Sequence, residues 1–148
     1  MSDRERLQRL VSLLYGLAAV MFVGLLLELL AAKHVQEPMQ LVPVVICVAG
    51  CSSVLLAWKR PSRNVIQGMR LVMLLASAVS LLGIWQHVAG NLGFVLELHP
   101  NTTGMALALG AIAGRAPVLA SGALAATGVI AILASFAAGR NVRGMVTR

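Results

Sequence analysis

Apolar residues along this chain form four long runs separated by short polar segments. The runs cover about residues 10–32, 39–58, 71–90 and 118–138. At about 1.5 Å per residue, a helix of about 20 residues crosses a hydrocarbon core about 30 Å thick. The pattern therefore predicts an all-α integral membrane protein, folded as a four-helix transmembrane bundle in a single membrane domain over residues 1–148.

Composition agrees with a lipid environment. The chain is 59% hydrophobic and 11% charged, with a mean hydropathy of +0.88, whereas soluble domains carry roughly 25% charged residues. The net charge of +7 raises nucleic-acid binding as an alternative. The arginines, however, flank apolar runs and form no basic stripe interleaved with aromatic residues. The predicted partner is the lipid bilayer, and no nucleic acid is expected.

The basic tip at residues 1–9 and the run behind it also resemble the start of a secretory signal peptide. The run is longer than the 7–15 residues of a signal-peptide core, and no clear small-residue cleavage site follows it. We therefore expect the run to be the first span.

Charge predicts the orientation of the four spans. Both termini and the loop after the second span fall on one side, with ten of the twelve lysines and arginines. Only Lys33 and Arg115 fall on the other side. Because positive loops stay in the cytoplasm, both termini are predicted to be cytoplasmic. Heavy use of Ala, Leu, Gly and Arg favours a bacterial source, and hence the inner membrane.

The opposite, outer side collects the remaining ionisable residues. All three histidines fall there, with every acid except Asp3 and Glu5. These outer residues are Glu28, His34, Glu37, His87, Glu97 and His99.

Two spans carry a stripe of small and polar residues at helical spacing, which favours the interior of a bundle. In the third span the stripe is Ser77, Ser80, Gly83, His87, Gly90 and Asn91. In the fourth span it is Ser121, Ala125, Gly128, Ser135 and Gly139.

A long outer connection over residues 91–117 joins the third and fourth spans. Glycines at 90–93 predict a break, and the alternating segment FVLELH at 94–99 predicts a short extended strip that folds back over the bundle. Pro100 disfavours helix at the residue before it. A short interfacial helix over about 103–114 follows, with Asn101 or Thr102 as its cap.

The strip would bring the candidate ligand-binding residues together: Glu28, His87, Asn91, Glu97 and His99. Imidazole and carboxylate suit a transition metal, so His87, Glu97 and His99 form a candidate metal set. A single haem near the outer face is the other cofactor considered, since the inner side has no histidine. No contiguous ligand motif such as HExxH supports either one.

Simpler explanations remain open for each of these residues. His87 suits an interfacial histidine bonded to a carbonyl or to Glu28, and Glu28 suits a carboxylate that reaches headgroup water. Glu97 and His99 suit a solvated loop pair. Cys47 and Cys51 lie one helical turn apart and are predicted to be buried thiols, because a redox pair would favour CxxC at a helix end.

The chain contains no hydrolase, P-loop or dinucleotide-binding motif, which argues against an enzyme. Two functions are compatible with the pattern. One is a four-span protein with a His/Glu ligand site for a metal, a haem or a small molecule at its outer face. The alternative is an accessory or assembly subunit without chemistry of its own, in a homo-oligomer or a larger membrane complex.

Overall fold

The computed structural model describes residues 2–33, 36, 38–114 and 118–146, with the side chains of these ranges except those of 120 and 139–146. Five helices make up these ranges, and no strand occurs in them. They are α1 (Asp3–Ala31), α2 (Pro38–Lys59), α3 (Arg63–Leu98), α4 (Gly104–Ala113) and α5 (Val118–Val146).

Four of these helices are long and apolar enough to cross a membrane: α1, α2, α3 and the segment Ser121–Ala138 of α5. This confirms the predicted four-span, all-helical architecture. The helices begin earlier or end later than the apolar runs do. At the N-terminus the charged tip is helical because Ser2 and Glu5 form a reciprocal capping box, which satisfies two backbone N–H groups.

The four long helices form a closed ring in which α1 and α3 each pack against both α2 and α5. Neighbours run antiparallel. Along α3 and α5, Ser80 contacts Ser121 while Arg70 contacts Ser135, so numbers rise on one helix as they fall on the other. We call the end that holds Asp3, Lys59 and Arg63 the terminal end, and the opposite end the α4 end.

Small side chains fill the interior of the ring and large apolar ones cover its outside. Ala18, Ala57 and Ala131 are completely buried, whereas Leu13 and Leu119 are 70% and 87% exposed. Membrane helices associate through close packing of small residues, because lipid tails leave no hydrophobic drive between helices. The distribution indicates contact with lipid and thus a multi-pass membrane protein.

Two glycines mark where helices approach most closely. A Cβ on Gly50 would lie 2.5 Å from the Phe22 ring of α1, and one on Gly128 would lie 3.0 Å from Ser77 Oγ of α3. The inward stripes predicted for the third and fourth spans are confirmed at their buried members Ser80, Asn91 and Ser135. Thr127 is also buried, but it was not part of the predicted stripe. Gly90 departs from the stripe, because it is exposed and has no atom near it.

The predicted break at 90–93 and the extended strip at 94–99 are wrong, since α3 continues as one helix to Leu98. Packing against α4 explains the continuation: a Cβ on Gly110 of α4 would lie 2.8 Å from Val95, so the two helices are in close contact. A continued helix also satisfies its own backbone groups in apolar surroundings. Alternation over six residues was too short a signal to outweigh these effects.

The short helix of the connection is confirmed as α4, and His99 leaves the helix at φ −137°, as Pro100 required. Its predicted caps are wrong. Thr103 occupies the N-cap position, without a side-chain hydrogen bond, and Asn101 and Thr102 precede it.

Candidate functional site

A cavity of about 330 Å³ opens at the α4 end of the bundle, between α1, α2, α3 and α5. Most of its lining is aliphatic. The polar side chains that line it are Glu28, Gln40, Cys47, Ser80, Gln86, His87 and Ser121.

Each helix contributes one face to this cavity, which follows from helical spacing. On α1 the lining positions 25, 28, 29 and 32 repeat at three and four residues. On α3 the positions 79, 80, 83, 86 and 87 do the same. The stripe that turns α3 toward its neighbours therefore also turns His87 toward the cavity.

The polar groups divide into a deep set and a mouth set. Cys47 on α2 and Ser80 on α3 lie two turns, or about 10 Å, further from the α4 end than Gln40 and His87 respectively. At the floor, Ser80 is 1% exposed and donates its hydroxyl proton to the carbonyl of Ser121. The Ser80 hydroxyl at the floor is thus bonded within the protein, and Glu28, Gln40 and His87 lie closer to the mouth.

Pro43 adds a polar group of the backbone. It lies inside α2 and lines the cavity together with Met39. Because proline has no N–H, the carbonyl of Met39 loses the helix donor it would otherwise have. Met39, a lining residue like Glu28 and Gln40, therefore carries a carbonyl oxygen to which Pro43 cannot donate.

The structure brings together two of the residues that the sequence singled out. Glu28 and His87, from different helices, line the same cavity; Glu28 is exposed and His87 is half-buried. That the two residues bind a ligand there stays a prediction. His34 and Glu37 lie outside the described residues.

Asn91 has a different position from the one predicted. It is 2% exposed, and its side-chain amide donates a 3.1 Å hydrogen bond to the carbonyl of Ala111 on α4. A Cβ on Gly114 would lie 3.0 Å from the Asn91 Cβ, so the two helices are tightly apposed there. Asn91 holds α4 against α3 and does not line the cavity.

Glu97 and His99 do not approach His87. Both are exposed, and Glu97 lies ten residues beyond His87 on a continuous helix, about 15 Å along its axis. Among the described residues, no three histidine, cysteine, aspartate or glutamate side chains are placed to hold a metal ion. The set His87, Glu97 and His99 depended on the extended strip and is not assembled.

Sequence reasoning missed the other polar residues of the cavity. Gln40 and Gln86 were visible as amides within apolar runs, close to the polar residues already chosen, and that was the available signal. Cys47 was predicted to be a buried thiol and is 1% exposed, but its place at the cavity was not foreseen. Cys51 is half-buried and its sulfur lies 4.0 Å from the carbonyl of Ala19.

No known protein family, curated protein or solved structure matches this chain.

Proposed function

We propose that this protein binds a compact amphipathic molecule in the cavity at the α4 end. The observation that carries the proposal is the convergence of Glu28 and His87, from two different helices, on one mostly aliphatic cavity. Ionisable residues within membrane spans are costly and commonly mark functional sites.

Size and lining support a small organic ligand. Ligand pockets usually measure roughly 300–1,000 Å³ and combine apolar walls with a few polar groups that orient the ligand. The cavity, at about 330 Å³, lies at the lower end of that range. Its aliphatic walls, including Leu25, Val79 and Leu124, suit a short hydrocarbon portion.

The mouth of the cavity suits a ligand head that is cationic or rich in hydrogen-bond donors. Glu28 supplies a carboxylate there, and Met39 supplies a carbonyl oxygen without its helix donor. Both accept hydrogen bonds. Imidazole and amide groups can accept or donate, so His87 and Gln86 suit either kind of polar head, whereas the Gln40 side-chain oxygen already accepts from the backbone N–H of Gln36 at 3.0 Å.

A small molecule is favoured over a transition metal. Three conventional metal ligands line the cavity, Glu28, His87 and Cys47, but Cys47 lies about two turns deeper than the mouth. Among the described residues, no three histidine, cysteine or acidic side chains lie close enough together to hold a metal ion.

Alkylation of Cys47 tests the proposal, because this thiol lines the cavity. In a Cys51→Ala background, the rate of reaction with N-ethylmaleimide is measured with octylammonium, octanol or octanoate present at equal concentrations. Octylammonium should slow the reaction most, and octanoate least. A Cys47→Ala, Cys51→Ala double variant shows that the signal comes from Cys47.

Two glutamate variants provide the matched comparison. Glu28→Gln should weaken protection by octylammonium by about tenfold in concentration, since a hydrogen bond to a charged group contributes about 1.5–3 kcal/mol. Glu97→Gln removes the same charge from an exposed position away from the cavity and should leave protection unchanged. Equal protection by all three compounds, insensitive to Glu28→Gln, would contradict the proposal.

We also infer that the terminal end faces the cytoplasm of a bacterial cell. The terminal end carries Arg4, Arg6, Arg9, Lys59, Arg60, Arg63 and Arg70, whereas Lys33 lies beyond the end of α1 at the α4 end. Reporter fusions should place residue 148 in the cytoplasm and an insertion at Pro100 in the periplasm. The reverse pattern would contradict this orientation.

The alternative, an accessory subunit, is favoured by one feature. The 36 residues of α3 extend about 54 Å, well beyond a hydrocarbon core of about 30 Å. The short helix α4 beside its far end leaves Met105, Leu109 and Ile112 exposed. If this face joins a larger complex, Leu109→Gln should release the protein from that complex on native gels, while Cys47 shows no protection by octylammonium.

A further inference from the structure

Tyr15 presents an unsatisfied polar atom inside the bundle, near the terminal end. The residue is 2% exposed, and its hydroxyl has no hydrogen-bond partner in the part of the chain that the structure describes. A buried hydroxyl without a partner costs free energy, and each such group in a folded protein calls for a physical reason. One reason is a ligand that accepts its proton.

Arg70 on α3 is held in a fixed position at the same end. Its Nε donates a 2.8 Å hydrogen bond to Ser135 Oγ, and its guanidinium carbon lies 4.0 Å from the centre of the Phe136 ring. Ser135 is completely buried and donates its own proton to the carbonyl of Ile132 at 2.6 Å. The guanidinium is therefore anchored through one nitrogen and one face.

Most of the hydrogen-bonding capacity of this guanidinium is unused within the described residues. Arginine carries five N–H donors, and Nε is the one engaged here. No described carboxylate pairs with Arg70, although the side chain is only partly exposed. A half-buried cation in a membrane protein is normally paired or functional.

Tyr15 and Arg70 lie at the same end of the ring: a Cβ on Gly16, next to Tyr15, would lie 3.6 Å from the ring of Trp58 near the end of α2, and Arg70 lies about two turns into α3. The surroundings are cationic as well, with Lys59, Arg60 and Arg63 exposed at the same end. The acids of this end lie in the N-terminal tip, where Glu5 caps the first turn of α1. The local field therefore favours an anion.

We propose that Arg70 and Tyr15 form a binding site for a phosphate-type oxyanion at the terminal end of the bundle. The terminal nitrogens of Arg70 donate to the anion, in the geometry by which guanidinium recognises phosphate. The Tyr15 hydroxyl donates to a further oxygen and is thereby satisfied. The headgroup of an anionic lipid and free phosphate offer the same chemistry. This site is separate from the cavity at the α4 end.

Thermal unfolding of the full chain in a non-ionic, phosphate-free detergent tests the site. Dioleoylphosphatidylglycerol, inorganic phosphate and the phosphate-free dioleoylglycerol are added in separate titrations. Dioleoylphosphatidylglycerol should raise the Tm of the native protein and dioleoylglycerol should not. A rise with inorganic phosphate as well assigns the site to phosphate in general, and a rise with the phospholipid alone assigns it to the lipid headgroup.

Variants locate the effect. Arg70→Gln should raise the half-saturating concentration about tenfold or more, because it removes charge-assisted hydrogen bonds. Arg63→Gln removes the same charge from an exposed position at the same end and should titrate like the native protein. Arg70→Lys retains the charge but loses the planar guanidinium, so it should also bind the phosphate compounds more weakly. This variant replaces Arg70→Gln in the test if Arg70→Gln does not fold.

Tyr15→Phe should have opposite effects on the Tm of the free protein and on the rise in Tm caused by the ligand. In the absence of phosphate it should raise the Tm, because it removes an unsatisfied hydroxyl. With saturating ligand the gain in Tm should be smaller than in the native protein.

Three results would each overturn the proposal: no Tm rise with either phosphate compound, an equal Tm rise with dioleoylglycerol, or the same loss of binding in Arg63→Gln as in Arg70→Gln. An unchanged ligand response in Tyr15→Phe would overturn the role of Tyr15.

Discussion

The two ends of this bundle hold their ionisable side chains in different surroundings. At the α4 end, Glu28 and His87 lie at the mouth of a cavity whose floor is satisfied by Ser80 and Ser121. At the terminal end, Arg70 is anchored by Ser135 and Phe136, and the buried Tyr15 hydroxyl has no hydrogen-bond partner among the described residues. The α4 end thus presents a hydrogen-bond acceptor, Glu28, at a cavity. The terminal end presents the hydrogen-bond donors of Arg70, whose position is fixed.

The difference follows from what fills the ring at each level. Near the terminal end, large side chains such as Tyr15 and Met69 are fully buried and fill the inside of the ring, whereas Arg70 is partly exposed. Near the α4 end, Gly83 and Ser121 face each other, and space remains above them. We therefore expect the two ends to respond independently to mutations near only one of them.

Gly50→Ala should give the largest effect and should disturb both ends. Its new Cβ would lie 2.5–2.6 Å from atoms of the Phe22 ring, which is completely buried. Overpacking of this kind costs about 1–3 kcal/mol. Thermal unfolding in detergent should show a clear fall in Tm, together with weaker protection of Cys47 by octylammonium and weaker binding of phosphatidylglycerol.

Gly24→Ala is the matched control, because no atom lies within 4 Å of the Cβ it would add on α1. It should leave both readouts unchanged and stabilise the helix by about 0.5–1 kcal/mol. A Gly50→Ala protein with native stability would show that α1 and α2 can separate, and that the two ends are less rigidly connected than the structure indicates.

Sequence reasoning recovered the framework of this comparison but not its details. Four spans, their antiparallel order and the inward stripes followed from apolar length and helical period, which are strong signals. Glu28 and His87 were found because ionisable residues in apolar runs are conspicuous. The cavity itself depends on the register between helices, which would leave a Cβ on Gly83 only 3.0 Å from Ser121 Oγ, and no single-chain pattern encodes that register.

The error over residues 90–99 has the same origin. Gly90 and Gly93 are weak helix formers, and FVLELH alternates, so local signals favoured a break and a strip. Contact between α3 and α4 outweighed them through Val95 and Asn91. Tyr15 was missed because a single tyrosine in an apolar run has no pattern; its importance depends on Arg70, 55 positions later.

Asn91→Ala should give the next largest effect, confined to the α4 end. The change leaves the carbonyl of Ala111 without its 3.1 Å donor, and an unsatisfied buried group costs about 1–3 kcal/mol. Hydrogen exchange, measured by mass spectrometry, should accelerate in α4 and not in α5. Protection of Cys47 by octylammonium should be unchanged, since Asn91 does not line the cavity. Weaker protection would show that Asn91 contributes to ligand binding after all.

Ser135→Ala should be milder and confined to the terminal end. It removes the acceptor for Arg70 Nε, and a net loss of about 1–2 kcal/mol in stability is expected for a hydrogen bond to a charged group that is only partly exposed. Binding of phosphatidylglycerol should weaken because the guanidinium is no longer oriented. Ser53→Ala is the control, since its hydroxyl bonds only the carbonyl of Gly50 on its own helix.

Gly83→Ala should give the smallest change in stability and the most local change in binding. Alanine favours helix over glycine by about 1 kcal/mol, but the new Cβ would lie 3.0 Å from Ser121 Oγ, so the gain is offset by crowding. Gly90→Ala on the same helix has the gain without the contact, because nothing lies within 4 Å. The Tm should therefore rise for Gly90→Ala and hardly change for Gly83→Ala.

Since Gly83 lines the cavity, only Gly83→Ala should weaken the protection of Cys47 by octylammonium. If both variants protect Cys47 as the native protein does, the space above Ser121 is not where the ligand binds, and the contrast between the two ends rests on Glu28 and His87 alone.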